Sequence, residues 1–296
     1  MKAIVTGHSR GLGAAIAHEL LARGIPVLGL ARTRNDALRL DPDGDGFAGR
    51  TTPAYANMVG PFGGVIAATM LAAVLRHPAR AGDPIALTVN FAGPIADGGF
   101  RVNARPVRTN RSTQHWYAEL VQGDRVATSA TAVLATRRET WSSTEIDFPA
   151  VPPAASIARL PPLERAEWTN RYDMRFVHGA PTGRAHAPAD PGSESCLWVR
   201  DEPPRPLDFA SLAAISDVFF PRLFLRRPKW VPVGTVSLTT FFHADAAMLA
   251  AQGERAVLGT ARSNRFGAGY FDQSAELWGD DGALLATSHQ VVYYKE

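Results

Sequence analysis

At 296 residues the chain is long enough for one large domain or two modest ones, with an ample core. A hydrophobic share of 46% and a charged share of 20% are those of an ordinary globular protein, and a formal charge of +3 argues against a strongly basic nucleic-acid binder. Cys196 is the single cysteine, which excludes an internal disulfide and a cysteine framework for metal, and fits a reducing, cytoplasmic address. The chain opens on a strand-like run, Lys2–Thr6, and shows no secretory signal pattern. Next come Thr6-Gly7-His8-Ser9-Arg10-Gly11-Leu12-Gly13 and an amphipathic helix to about Arg23. Gly24 ends that helix, and Pro26–Ala31 reads as a second strand followed by Arg32. Glycines thus stand where a pyrophosphate would approach a helix N-terminus.

Thr6, Gly7, Gly11 and Gly13 match T-G-x-x-x-G-x-G, so residues 1–34 resemble the beginning of a short-chain dehydrogenase/reductase. In that family Arg32 implies NADP. The family's Tyr-x-x-x-Lys is missing, because the residues four places after Tyr55, Tyr117, Tyr172 and Tyr270 are Val59, Val121, Phe176 and Ser274. Helix–strand alternation also stops after Arg32, which leaves a parallel sheet with no further strands. Residues 1–38 therefore read as an appended βαβ Rossmann-like fragment. Gly7, Gly11 and Gly13 are vestigial in this reading and no cofactor is expected; an NADP-dependent oxidoreductase is the least favoured alternative.

Asn35–Arg50, rich in Asp and Gly, reads as a linker entering a short strand near Phe47. Met58-Val59-Gly60-Pro61-Phe62-Gly63-Gly64 opens an uncharged helix, Val65–Leu75, too short to span a bilayer. Period-two runs follow at Ile85–Phe91, Phe100–Arg108, Gln114–Gln122 and Arg125–Thr136, with turn signals at Gly98-Gly99 and Gly123-Asp124. One apolar helix followed by an antiparallel meander makes an α+β unit.

Glu139–Pro206 is proline-rich, and its early part, residues 141–166, reads as an interdomain linker. Asn170–Val177 and Cys196–Arg200 alternate like strands. Asp208–Phe220 reads as a buried helix capped by Asp208 and stopped by Pro221. Between them Asp217 alone is ionisable, on a stripe with Ala210, Ala213 and Ala214. The basic cluster Arg222, Arg226, Arg227 and Lys229 reads as a solvated loop. Strand-like runs then repeat at Thr235–His243, Val257–Asn264, Gly269–Trp278 and Ala283–Tyr294. Arg108-Thr109-Asn110-Arg111 against Arg262-Ser263-Asn264-Arg265, and Ala127-Thr128-Ser129 against Ala286-Thr287-Ser288, support a duplication.

A helix wrapped by an antiparallel sheet, in tandem, resembles the double-hotdog thioesterases of the acyl-CoA thioesterase II type over residues 40–296. The resemblance implies a first hotdog over 39–140, a second over 167–296, an acyl-CoA substrate and homo-oligomeric assembly. In that family an Asp, a Thr and a Gln hold the hydrolytic water. Ile215-Ser216-Asp217 matches the place of the Asp, Val233-Gly234-Thr235-Val236 that of the Thr, and Ala286-Thr287-Ser288-His289-Gln290 that of the Gln. Gly63-Gly64 resembles the family's glycine pair, where amides at a helix start receive a carbonyl oxygen. The residue types suit the chemistry: Asp217 accepts a proton, while Thr235 and Gln290 orient a water. His289 falls on the opposite strand face and reads as structural. A non-catalytic acyl-CoA-binding protein is the second reading, since hotdog folds serve several functions.

Overall fold

The structure, a computed structural model, describes residues 3–6, 23, 27–30, 38–163, 166–181, 192–227 and 229–296. It comprises two compact units, Met1–Arg39 and Leu40–Glu296. In the first, β1 (Ala3–Thr6) and β2 (Val27–Leu30) pair in parallel, with Ala3 opposite Val27 and Thr6 opposite Leu30. Gly7, Gly11, Gly13 and Arg32 lie outside the described residues.

The second unit begins with a hairpin, β3 (Asp41–Asp43) and β4 (Gly46–Arg50), turned at Gly44. Helix α1 (Gly63–Arg76) follows, then β5 (Asp83–Phe91), β6 (Gly99–Thr109), β7 (Thr113–Gln122) and β8 (Arg125–Ala135). The second half starts with β9 (Tyr172–His178) and β10 (Ser195–Asp201), then α2 (Phe209–Ile215) and the short α3 (Leu223–Arg226). It continues through β11 (Val233–Phe242), α4 (Ala246–Gln252), β12 (Val257–Arg262), β13 (Phe266–Gly267), β14 (Tyr270–Trp278) and β15 (Leu284–Tyr294).

Every residue of α1 from Gly64 to Val74 is buried, as a helix with apolar residues on all sides must be. Asp208 caps α2 by accepting the Ser211 N–H at 2.7 Å. Here the structure corrects the sequence reading, because α2 ends at Ile215 rather than running to Phe220. Ser216 turns its hydroxyl back onto the Leu212 carbonyl, and the Asp217 N–H bonds Ala214 in a tighter turn. Pro221 disfavours helical backbone at Phe220 as well. Asp217 therefore stands in the turn beyond α2, released from its helical stripe.

Strands β3–β15 form one antiparallel sheet in the order β3-β4-β6-β7-β8-β5-β11-β15-β14-β12-β10-β9, with β13 on β14. The run β4-β6-β7-β8-β5 has the same connectivity as β10-β12-β14-β15-β11, and β5 pairs with β11 at the seam. Ala92 and Gly93 both donate to the Ala127 carbonyl; His243 and Ala244 both donate to the Leu285 carbonyl. That makes Ala127 the counterpart of Leu285, each skipped by its partner strand as a bulge. The likeness of Ala127-Thr128-Ser129 to Ala286-Thr287-Ser288 is consequently one residue out of register, and a one-residue shift exchanges the faces of a strand.

The proline-rich stretch is docked rather than loose. Phe148, Val151, Ala154 and Ile157 pack on the cluster of Cys196, Trp198, Leu258 and Trp278, and Trp198 Nε1 donates to the Pro152 carbonyl at 2.9 Å. It covers the sheet face opposite α2, which explains why β10 is buried on both sides.

Candidate active site

Four segments converge on Asp217. The first is the turn after α2, which fixes the Asp217 backbone. β15 supplies the second: Ser288 and Gln290 project to the same buried face, where the Ser288 hydroxyl donates to the Ser216 carbonyl at 3.3 Å. Gln290 Nε2 donates to Asp217 Oδ1 at 2.9 Å. One strand thus holds both the backbone beside the carboxylate and the carboxylate itself.

β11 brings Thr235, whose hydroxyl donates to Gln290 Oε1 at 3.2 Å. Strict alternation would set Thr235 on the outer face with Ser237 and Thr239. Val236 is instead a bulge, with Thr235 opposite Val292 and Ser237 opposite Val291, so the phase flips and Thr235 turns inward beside Leu238 and Gln290. Without the bulge there would be no contact with Gln290.

The start of α1 is the fourth segment. Its N-cap residue, Phe62, gives no side-chain cap, and the Gly64 N–H bonds the Asp217 carboxylate instead. A Cβ on Gly63 would stand 2.6 Å from Asp217 Oδ2; one on Gly64 would stand 2.4 Å from the Ala214 carbonyl oxygen. Both glycines are needed for close approach: the first to the acid, the second to the end of α2. The expected role of these amides in receiving a carbonyl oxygen is narrowed accordingly, since the Gly64 N–H is engaged by Asp217.

Burial pushes the Asp217 carboxyl up to about 7, against the opposing hydrogen bonds from Gln290 and Gly64. A carboxylate with such an affinity titrates where a general base at neutral pH should. The hydrogen-bond chain runs Thr235 to Gln290 to Asp217, and an ionised carboxylate, an acceptor only, fixes the amide nitrogen toward itself.

Asp217, Thr235, Gln290, Gly63 and Gly64 are thus brought together. His289 is exposed on the other face, where Nδ1 lies 3.0 Å from Ser274 Oγ. Sequence reasoning misses Ser288, although it shares a strand face with Gln290. It also misses Gln273, a lone polar residue between Phe271, Ala275 and Leu277 on the inner face of β14. The cluster Arg222, Arg226, Arg227 and Lys229 is not a uniform solvated loop. Arg222 is wholly buried, with Nε donating to the Phe220 carbonyl at 2.8 Å and Nη1 to Ser195 Oγ at 2.6 Å. It ties the turn after Asp217 to β10. Among the described residues no cluster of His, Cys, Asp or Glu is arranged to hold a metal, and no helix is long and apolar enough to cross a membrane.

A family model described as the acyl-CoA thioesterase N-terminal domain matches residues 52–135, and one described as the C-terminal domain matches residues 147–294. The chain belongs to the acyl-CoA thioesterase family. Among solved structures it is similar to a conserved protein of unknown function with a hotdog fold from Alicyclobacillus acidocaldarius, at 46% identity and a TM-score of 0.84, covering 88% of this chain and 97% of that one. It is also similar to a putative thioesterase II from Thermobifida fusca (21% identity, TM-score 0.77, 89% and 98% covered). An acyl-CoA thioesterase II from Mycobacterium marinum follows at 19% identity and a TM-score of 0.69, with 88% and 97% covered. The fold is a hotdog fold. No curated protein matches the chain. Neither family model reaches residues 1–51, so the dehydrogenase resemblance at the start gains no support.

Proposed function

We propose that this chain is a tandem hotdog hydrolase that cleaves acyl-CoA to a free carboxylic acid and CoA, with Asp217 as general base. The observation that carries this reading is the partly buried Asp217 carboxyl, held by Gln290 and the Gly64 amide and raised to about 7. In the proposed step a water held by Thr235, Gln290 and Asp217 attacks the thioester carbonyl carbon. Asp217 takes a proton from the water, the carbon–sulfur bond breaks, and that proton passes to the departing thiolate. The N-terminus of α1 offers amide hydrogens and positive potential to the developing oxyanion. The carboxylate comes from the second half, since α1 has no acidic residue, which supports one site of this chemistry.

Release of free thiol from a series of acyl-CoA substrates of increasing chain length tests the reading. Turnover on at least part of the series is expected. Saturable acyl-CoA binding with no thiol release across the series would assign the protein to the non-catalytic reading.

A further inference from the structure

The inward residues of β14 are Phe271, Gln273, Ala275 and Leu277, and Gln273 is the polar exception, only 2% exposed. It lies directly opposite Gln290 in the β14–β15 ladder, so the two carboxamides leave the sheet as neighbours on one face. Gln290 is committed to Thr235 and Asp217, whereas Gln273 Oε1 is enclosed with no hydrogen-bond partner among the described residues. On its other side no strand pairs with Gln273, for β12 last pairs at Arg262 with Ser274 and β13 rejoins at Phe266 with Phe271, and the loop between them turns its Asn264 and Arg265 N–H groups to Asp272. Thr240, fully buried on β11 opposite Ser288, likewise has an unpartnered hydroxyl oxygen. Burying a carboxamide in an apolar strip is unfavourable unless something hydrogen-bonds it.

We propose that Gln273 is a specificity residue that accepts a hydrogen bond from a hydroxyl on the acyl group, at the second or third carbon counted from the thioester carbonyl. This rests on Asp217 being the water-activating group. Adjacent strands are about 4.8 Å apart. A carbonyl carbon ready for attack stands about 3–3.5 Å from the water oxygen. Gln273 therefore falls beside the first carbons of the acyl chain rather than its far end. A hydroxyl supplies the one donor that the unpartnered Gln273 Oε1 lacks. A plain alkyl chain at the same place leaves the buried amide oxygen unpaired, and that penalty creates the discrimination.

The test compares kcat/KM for butanoyl-CoA, 2-hydroxybutanoyl-CoA and 3-hydroxybutanoyl-CoA, by thiol release, in the full chain and in Gln273→Met. One of the hydroxylated substrates should be favoured over butanoyl-CoA by at least about tenfold in the wild-type protein. That preference should vanish in Gln273→Met, whose folding is checked independently by circular dichroism and a cooperative thermal melt. Gln273→Leu gives the same ratio should the Met variant not fold. Equal kcat/KM on all three substrates in the wild type, or a preference that survives the substitution, overturns the assignment. No release from any acyl-CoA would instead refute the thioesterase reading.

Discussion

Asp217 bears two opposed demands, and its environment shows which prevails. Burial favours the neutral acid, the Gln290 and Gly64 hydrogen bonds favour the anion, and the outcome is a carboxyl at about 7 rather than 3.8. A raised carboxyl affinity means that the folded protein binds this proton more tightly than the unfolded chain does. Ionisation therefore costs nothing below the ordinary carboxylate range, an increasing amount as pH climbs toward 7, and the full amount above it. Asp217→Asn keeps an acceptor for Gly64 and removes the charge. It should stabilise the protein by on the order of 1–3 kcal/mol at pH 8, and by little at pH 4. Thermal melting of both proteins at the two pH values checks this; equal melting temperatures at pH 8 would contradict it. The same cause acts on Cys196, whose thiol burial, helped by the Glu194 charge, pushes up to about 11. It should resist alkylation by iodoacetamide in the native protein and react only on unfolding.

At the scale of elements the site depends on how closely α1 and α2 approach. Gly64 sits where a Cβ would be 2.4 Å from a backbone oxygen of α2, an atom that cannot rotate away. Ala is favoured over Gly within a helix by about 1 kcal/mol. Overpacking typically costs about 1–3 kcal/mol, so the clash outweighs the gain in helix propensity. Gly64→Ala should lower the free energy of unfolding by roughly that difference, moving the denaturation midpoint down, and should weaken hydrolysis because the turn after α2 carries Asp217. A midpoint at or above wild type would show that the helices are free to separate. Much of this was legible in the sequence: the uncharged run Val65–Leu75 is the interior of α1, and the alternating runs are β5–β8, β11, β12, β14 and β15 to within a few residues. The end of α2 was not, since a serine bonding backward and a distant proline act through geometry that composition does not display. The inward turn of Thr235 was equally hidden, because it depends on a bulge at Val236 fixed by pairing with β15.

Across the whole second unit, the seam between β5 and β11 places Thr88 opposite Thr239, their hydroxyl oxygens 3.0 Å apart. The local axis relating the two halves passes through this pair, for the bulge positions Ala127 and Leu285 set the same correspondence. Thr88→Val and Thr239→Val should each cost about 1 kcal/mol. The double variant should cost little more than either, with a coupling of at least about 0.5 kcal/mol. Additive losses in chemical denaturation would mean that the hydroxyls do not act as a pair. Duplication was visible in the sequence as a repeated order of elements, more dependably than as short identities. One of those identities matched residues on opposite faces, because side-chain likeness carries no information about bulges.

The central claim is that Asp217 activates water, and the most direct measurement is steady-state thiol release from an acyl-CoA by the wild-type and Asp217→Asn proteins across pH 5–9. Wild-type kcat/KM should rise with pH through a midpoint near 7, in keeping with a base that must be ionised. Asp217→Asn should lose at least about 100-fold in kcat while still binding acyl-CoA. A variant that turns over at the wild-type rate would contradict the account.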